Sequence, residues 1–594
     1  MRRCLCCCAC FFACTLLLIF HPAFAQTPGK PAAGSPGATD IITALTLGDP
    51  SALKDLLAAG ADPNAFNPTF KGPMWLSSLI MGQKSMFWAM SDASKLSVGP
   101  GASGRRGGAE ALAIASARGY RDVVEFLIER GVDVNSRLNV GTTSILVAAS
   151  NANGEIVQAL IGRHADVNLA DQHGDTPLMA AVRAGSSSCV TSLLSAGAKL
   201  NASDKLGRTA VWWVSRTDRV DILEQLIKRG ADLNVSDKSQ FTPLMLANRM
   251  GQSHMVQRLR RNGASGRADR AEPRDVRSAT AASLPLIQNG VELWLKRTEC
   301  DSCHHTVAGM QAMLVAKRYG LKLDEKMFEK QRARYRDNLR NLDRQVEPAI
   351  GNRIASSKAD DPSEDLSFSL GLIPLPVTGL KELRDESFGN IALVLANLQF
   401  EDGRWIHGMA RVPIESSDSL TTAYAIRTLQ LHTPAPEKAR IERQIARAID
   451  WLEHSRPLTT DDLIGQLYGL FWASRDRKTV FMAAKQLLRD QNEDGSWAQK
   501  RGMNGDAYAT GEALFALYTT RQLDTGAPSF KRGVAYLLRT QEDDGSWLVP
   551  TRAIPLNGYL ESGSPHGKHQ FISYTATCWS TMVLIVAADV QRHR

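Results

Sequence analysis

An asparagine returns every 33 residues, at Asn135, Asn168, Asn201 and Asn234. Each closes the same kind of phrase: Gly131-Val132-Asp133-Val134-Asn135, His164-Ala165-Asp166-Val167-Asn168, Gly197-Ala198-Lys199-Leu200-Asn201 and Gly230-Ala231-Asp232-Leu233-Asn234. A fixed period of this length means one supersecondary unit repeated, each unit burying its apolar face on the next. This part of the chain must therefore stack along an axis rather than collapse around a single centre.

The residues inside the period have separate tasks. Asp171-x-x-Gly174-x-Thr176-Pro177-Leu178 and Thr242-Pro243-Leu244 open a first helix, with Pro tolerated in its first turn. Leu193-Leu194 near the end of the second helix packs on the neighbouring repeat, and Gly197 ends that helix. Asp and Asn shape the turn that follows. The pattern resembles the ankyrin repeat, which implies a helical solenoid that binds a protein partner and carries no chemistry. Five repeats are expected over 107–265. A further one at 40–66, ending Gly60-Ala61-Asp62-Pro63-Asn64, extends the domain to 40–264. The insertion 67–106, with Trp75, Phe87 and Trp88, is expected on the binding face. Trp212-Trp213 is a candidate hot spot, with core burial as the alternative for one of the pair. Residues 265–283 are polar, basic and Ala-rich, and are expected to be a linker.

A different recurrence occupies the second half. Gln399-Phe400-Glu401-Asp402-Gly403-Arg404-Trp405, Gln491-Asn492-Glu493-Asp494-Gly495-Ser496-Trp497 and Gln541-Glu542-Asp543-Asp544-Gly545-Ser546-Trp547 share one template. The last two lie 50 residues apart and the first two 92 apart, so a degenerate copy is expected near Trp451-Leu452-Glu453-His454. Each phrase follows one apolar helical pattern and precedes another. The phrases are similar to the QW motif of squalene–hopene cyclases and related terpene cyclases. That resemblance implies an α/α toroid over 284–594, two rings of helices around a cavity that takes a small ligand. The expected fold class is thus all-α, an ankyrin-repeat solenoid followed by an α/α toroid. Cyclase chemistry in that family needs D-x-D-D, whose central Asp protonates an alkene or epoxide, and this chain has none. Asp461-Asp462 lack the third Asp, Asp543-Asp544 belong to a turn, and Asp506 reads as a helix N-cap. Whether the chain is an enzyme stays open at this point.

Cys300-Asp301-Ser302-Cys303-His304 fits neither recurrence. C-x-x-C-H is the attachment signature of a c-type haem. The expected cofactor is one covalent haem c, with Cys300 and Cys303 as thioether anchors and His304 as proximal iron ligand. His305 is expected beside the iron ligand rather than on the iron. Met310 and Met313 are candidate distal ligands, although so short a separation tends to keep them on the proximal side. His566 and His569, in the polar loop before the last helix, are candidates for the iron, the propionates or a ligand, or are simply solvated. The alternatives for the cysteines are a Cys300–Cys303 disulfide or a zinc site that still needs a fourth ligand. The segments before Cys300 and before Gly545 align through Gly290-Val291 and Gly533-Val534. The motif is therefore expected to replace a QW turn in the first helix pair, a small cytochrome c domain at 284–380 being the alternative.

Arg2 and Arg3, an apolar run through Phe20 and Ala23-Phe24-Ala25 read as a signal peptide over 1–25, followed by a flexible leader over 26–39. Six of the ten Cys lie in that signal, which leaves Cys189, Cys300, Cys303 and Cys578. Export to the periplasm or beyond agrees with c-type haem attachment. Basic residues are dispersed without an aromatic-interleaved patch, which argues against nucleic-acid binding. No later apolar run reaches the length of a membrane span. The expected function is an exported haem-c protein for electron transfer or redox or gas sensing, with a protein partner on the array and a redox partner. A toroid-cavity enzyme of cyclase or lyase type and a non-redox scaffold are the alternatives.

Overall fold

The computed structural model describes residues 50–59, segments between 62 and 92, and 107–265, 274–298, 304–345, 388–406, 417–553 and 564–592. The fold is all-α, as the two recurrences predict.

Pro50–Ala58 is α1, and Met74–Ile80 (α2) and Lys84–Asp92 (α3) form the next pair. Five stacked pairs then follow the 33-residue period: Gly107–Arg118 and Arg121–Glu129 (α4, α5), Ser144–Ser150 and Gly154–Gly162 (α6, α7), Pro177–Ala184 and Ser187–Ser195 (α8, α9), Ala210–Val214 and Val220–Lys228 (α10, α11), Pro243–Arg249 and Ser253–Arg261 (α12, α13). Thr176 and Thr242 cap α8 and α12 by accepting from the backbone N–H three residues on, with Pro at the first helical position. The periodic asparagines explain their own spacing. Asn135 Oδ1 accepts from Asp166 N (2.8 Å), Asn168 Oδ1 from Lys199 N (2.7 Å), Asn201 Oδ1 from Asp232 N (3.0 Å) and Asn234 Oδ1 from Ser265 N (2.7 Å). Each turn is thus tied to the next repeat by one side chain.

The described part of the insertion does not project as a binding loop. Its helices α2 and α3 extend the stack, with Trp75 and Phe87 fully buried in the array's core and Trp88 packed edge-on against Phe126 at 5.3 Å. Large aromatic side chains bury more apolar area here than exposure on a binding face would permit.

The linker also ends earlier than expected. Val276–Thr298 (α14) begins inside 265–283, because Val276, Ala279, Thr280, Ser283, Leu284 and Ile287 make one buried stripe at helical spacing. Small and hydroxylated residues in that stripe made it read as polar.

His304–Arg318 is α15, Glu325–Gln345 α16, Gly389–Asn397 α17, Asp418–His432 α18, Lys438–His454 α19, Thr460–Trp472 α20, Arg477–Arg489 α21, Ala507–Thr519 α22, Pro528–Thr540 α23 and Gln570–Arg592 α24. Helices α15, α18, α20, α22 and α24 carry the most buried faces and form the inner ring, while α14, α19, α21 and α23 lie outside. Helix α24 has a window apolar and long enough to cross a membrane, but 83% of that window is buried inside the protein, as befits a core helix.

The three QW phrases build the same brace. Trp405, Trp497 and Trp547 donate Nε1–H to the carbonyls of Leu395, Leu487 and Leu537, each ten residues back. Gln399, Gln491 and Gln541 donate to the carbonyls of Gln444, Ser529 and Ala279, each on another outer helix. The last of these joins the end of the domain to its start on α14 and closes the ring. The degenerate copy at 451–454 lacks this device. Instead Gln466, from inner helix α20, donates to the carbonyls of Leu452 and Ser455.

Candidate functional site

Outer helix α14 ends at Thr298 and inner helix α15 begins at His304, so the C-x-x-C-H motif joins an outer to an inner helix as the QW phrases do. Cys300 and Cys303 lie outside the described residues, as do the side chains of His304 and His305. Around them the packing is defined. Tyr574 of α24 inserts between α14 and α15 and donates to Ile287 O at 2.8 Å. A Cβ at Gly290 would sit 2.2 Å from the Tyr574 ring and one at Gly309 2.4 Å from its hydroxyl, so only glycine fits either position. Trp294 meets Phe571 edge-on at 5.7 Å, which brings the C-terminal end of α14 to the start of α24. Met310 and Met313 both lie in the toroid's apolar core. On the same helix Thr306 Oγ1 and Gln311 Nε2 are buried with no partner among the described residues. Cys189 and Cys578 are buried and unpaired. Among the described residues no group of three or more His, Cys, Asp or Glu is placed to hold a metal.

His566 and His569 are engaged elsewhere. His566 Nε2 lies 2.6 Å from Ser546 Oγ. His569 is buried, its Nδ1 accepts from Thr551 N at 3.1 Å, and its ring meets Trp213 of the array edge-on at 6.3 Å. Burial, with Lys568 and Arg183 nearby, holds its pKa well below the usual imidazole value, so it stays neutral. Lys568 between them pairs with Asp171 (2.7 Å) and Asp175 (2.8 Å) of the array.

These residues belong to a seam between array and toroid. Arg216 meets Glu542 at 2.7 Å, and Arg249 forks onto Asp543 at 2.8 and 3.1 Å. Asn504 N donates to Ala184 O, and Arg552 Nη1 to Asn151 Oδ1 at 3.1 Å. Both Trp212 and Trp213 are buried here, with Arg208 over both rings and Arg183 over Trp213. The pair is therefore not free to serve an external partner while the seam is closed.

A second constellation lies inside the ring. Asp461, in the first turn of α20, and Glu512, in the middle of α22, are both almost fully buried. Tyr508 donates its hydroxyl to Asp461 Oδ2 at 3.2 Å and stands one helical turn before Glu512 on α22. Asp461 Oδ1 and Glu512 Oε2 have no partner among the described residues. Burial drives both carboxyl pKa values well up, and the negative charge each would present to the other adds to the rise at Asp461. Tyr424 and Tyr468 complete the surroundings, their hydroxyl pKa values also raised by burial. The charge of Arg552 partly offsets the rise at Asp461; burial pushes the pKa of Arg552 down to about 10, and its Nε donates to Gln499 Oε1 at 2.6 Å. Asp506 caps α22 through Ala509 N (2.9 Å), and burial raises its pKa to about 6.

Residues 112–204 and 199–269 match the family model described as ankyrin repeats (3 copies), and 459–594 match the squalene-hopene cyclase C-terminal domain. The chain carries both modules. The cyclase match begins at Thr459, the N-cap of α20, and takes in Asp461, Asp506 and Glu512 but not the C-x-x-C-H motif. Within this cyclase-like domain Thr459 stands where D-x-D-D would have its first Asp. Asp462 is spent on the capping box with Thr459, which leaves Asp461 alone to face Tyr508. Sequence reading passed over the pair because Asp461-Asp462 lack the third Asp of D-x-D-D. The available signal was Glu512, the only charged residue of the apolar helix Ala507–Thr519.

Proposed function

We propose that this chain is an exported c-type haem protein, with Cys300 and Cys303 as thioether anchors and His304 as proximal iron ligand. The observation that carries the reading is the position of C-x-x-C-H between α14 and α15, at a joint that other helix pairs fill with a QW brace. The surroundings suit the group. Two thiols and an imidazole come from one short segment, the neighbouring helices bring Trp294, Phe571, Met310 and Met313, and Thr306 Oγ1 and Gln311 Nε2 lack a partner among the described residues. A bound haem would supply one-electron chemistry. The chain's own residues fix α14 and α15 against α24 through Tyr574. The signal-like pattern of Arg2, Arg3, the apolar run and Ala23-Phe24-Ala25 supports export to the periplasm or beyond. The array is a protein-binding module, and its free surfaces would meet the redox partner.

A pyridine haemochrome spectrum tests this, after denaturing extraction from a host with active cytochrome c maturation. A c-type band that survives extraction and disappears in Cys300→Ala/Cys303→Ala is the expected result. Colourless protein from that host would remove the haem reading.

A second reading is favoured by the orphaned oxygens of Asp461 and Glu512. An acid pair that keeps its proton at neutral pH, ringed by tyrosines inside a cyclase-like domain, suits general-acid attack on an unsaturated apolar substrate. Turnover of such a substrate by the Cys300→Ala/Cys303→Ala protein, lost in Asp461→Asn, would favour it over the haem reading.

A further inference from the structure

A pocket of about 530 Å³ opens on the toroid between the first half of α14, the turn from α15 to α16 and the last turns of α24. Its volume falls in the range of small-molecule sites. The lining is divided by chemistry. Leu284, Pro285, Leu321, Leu323, Met327 and Ile585 form an apolar floor. Arg277 and Lys322 stand exposed on the lining, and neither has an ion-pair partner among the described residues.

The one carboxylate among the described lining residues is occupied. Asp324 caps α16 by accepting from Met327 N at 3.0 Å, so the positive end of that helix offsets its charge. The wall is also rigid. Gln288 of α14 accepts from Asp324 N (3.1 Å) and donates to Asp324 O (2.8 Å), which bolts the turn to α14. A site fixed in this way loses little conformational entropy when filled.

We propose that this pocket binds a single-chain anionic amphiphile, its acyl tail on the apolar floor and its carboxylate between Arg277 and Lys322. An uncharged apolar molecule would leave both cations without a counter-charge. A small inorganic anion would leave the floor wet. Only a ligand with both parts satisfies the two halves of the lining. The site is separate from the haem motif and from the acid pair, and shares no residue with either.

The test uses the purified full-length chain and a dansyl-tagged undecanoate, with the corresponding dansyl-tagged alcohol as the neutral probe. Saturable binding of the carboxylate is expected, weakened about tenfold in Arg277→Glu/Lys322→Glu while the alcohol binds that variant as it binds the parent. Both altered side chains are exposed, so the fold should survive, which circular dichroism checks. Ala281→Trp, which fills the pocket from its rim, should abolish binding of both probes. Absence of saturable binding, equal affinity for acid and alcohol, or indifference to the charge reversal would each overturn the proposal.

Discussion

Glu512 sits on a helix otherwise built from Ala, Tyr, Thr, Gly, Leu and Phe. Its second oxygen has no partner among the described residues, and burial holds its proton well above the ordinary carboxylate range. Unfolding exposes the carboxyl and lets the proton go. Between the unfolded value, about 4.3, and the raised folded one, the unfolded chain therefore binds fewer protons than the folded chain. The stabilisation is fully present below that window and is lost as pH rises through it. Glu512→Gln keeps the shape and cannot ionise. Denaturant unfolding from mildly acidic to mildly alkaline buffer should show a flatter pH dependence for this variant and a gain over the parent on the alkaline side. A slope identical to the parent's would assign the pH dependence to other groups.

Turns of the QW type show why glycine is fixed in the phrase. Gly495 has φ +91°, and a Cβ there would lie 2.3 Å from Arg532 O on α23. Gly197 has a similar φ of +85° with nothing near its missing Cβ. Gly197→Ala should lose only the left-handed backbone penalty, about 1 kcal/mol. Gly495→Ala must also push its turn off α23 and should lose roughly 2–3 kcal/mol. Equal losses in urea denaturation would mean that the turn moves freely and the brace carries no load. Such turns were legible in sequence because one phrase does the same task three times. The joint after α19 was not, since Gln466 reaches it from another helix. The start of α14 was hidden because Ala279, Thr280 and Ser283 fill a buried stripe without looking apolar. Helices α2 and α3 have no repeat partner to reveal them. At the site level C-x-x-C-H stands out in sequence, whereas the acid pair exists only once α20 and α22 lie side by side.

Array and toroid read as independent modules along the chain, yet their seam is built from residues that already serve each repeat. The second and third QW phrases differ after the glutamine. Asn492 turns back to Ser496 Oγ at 3.0 Å, whereas Glu542 at the matching position leaves its turn and pairs with Arg216 of the array. The next position differs too, Glu493 against Asp543, so the third turn offers the array two carboxylates, which Arg216 and Arg249 engage. Glu542 and Arg216 are mostly buried, so their attraction is little screened, and burial alone would raise the pKa of Glu542 were Arg216 and Arg249 not holding it down. Reversing both arginines would leave Glu542 facing like charges in a confined space, a loss of roughly 3 kcal/mol or more. Arg216→Glu/Arg249→Glu should therefore raise hydrogen exchange at 541–547 and 212–216 together and split thermal unfolding into two transitions. Adding Glu542→Arg/Asp543→Arg should restore protection, because the same pairs re-form with their signs exchanged. Protection unchanged by the first pair of substitutions would mean that apolar packing around Trp213 holds the seam, with the ion pairs setting only which turn the array meets.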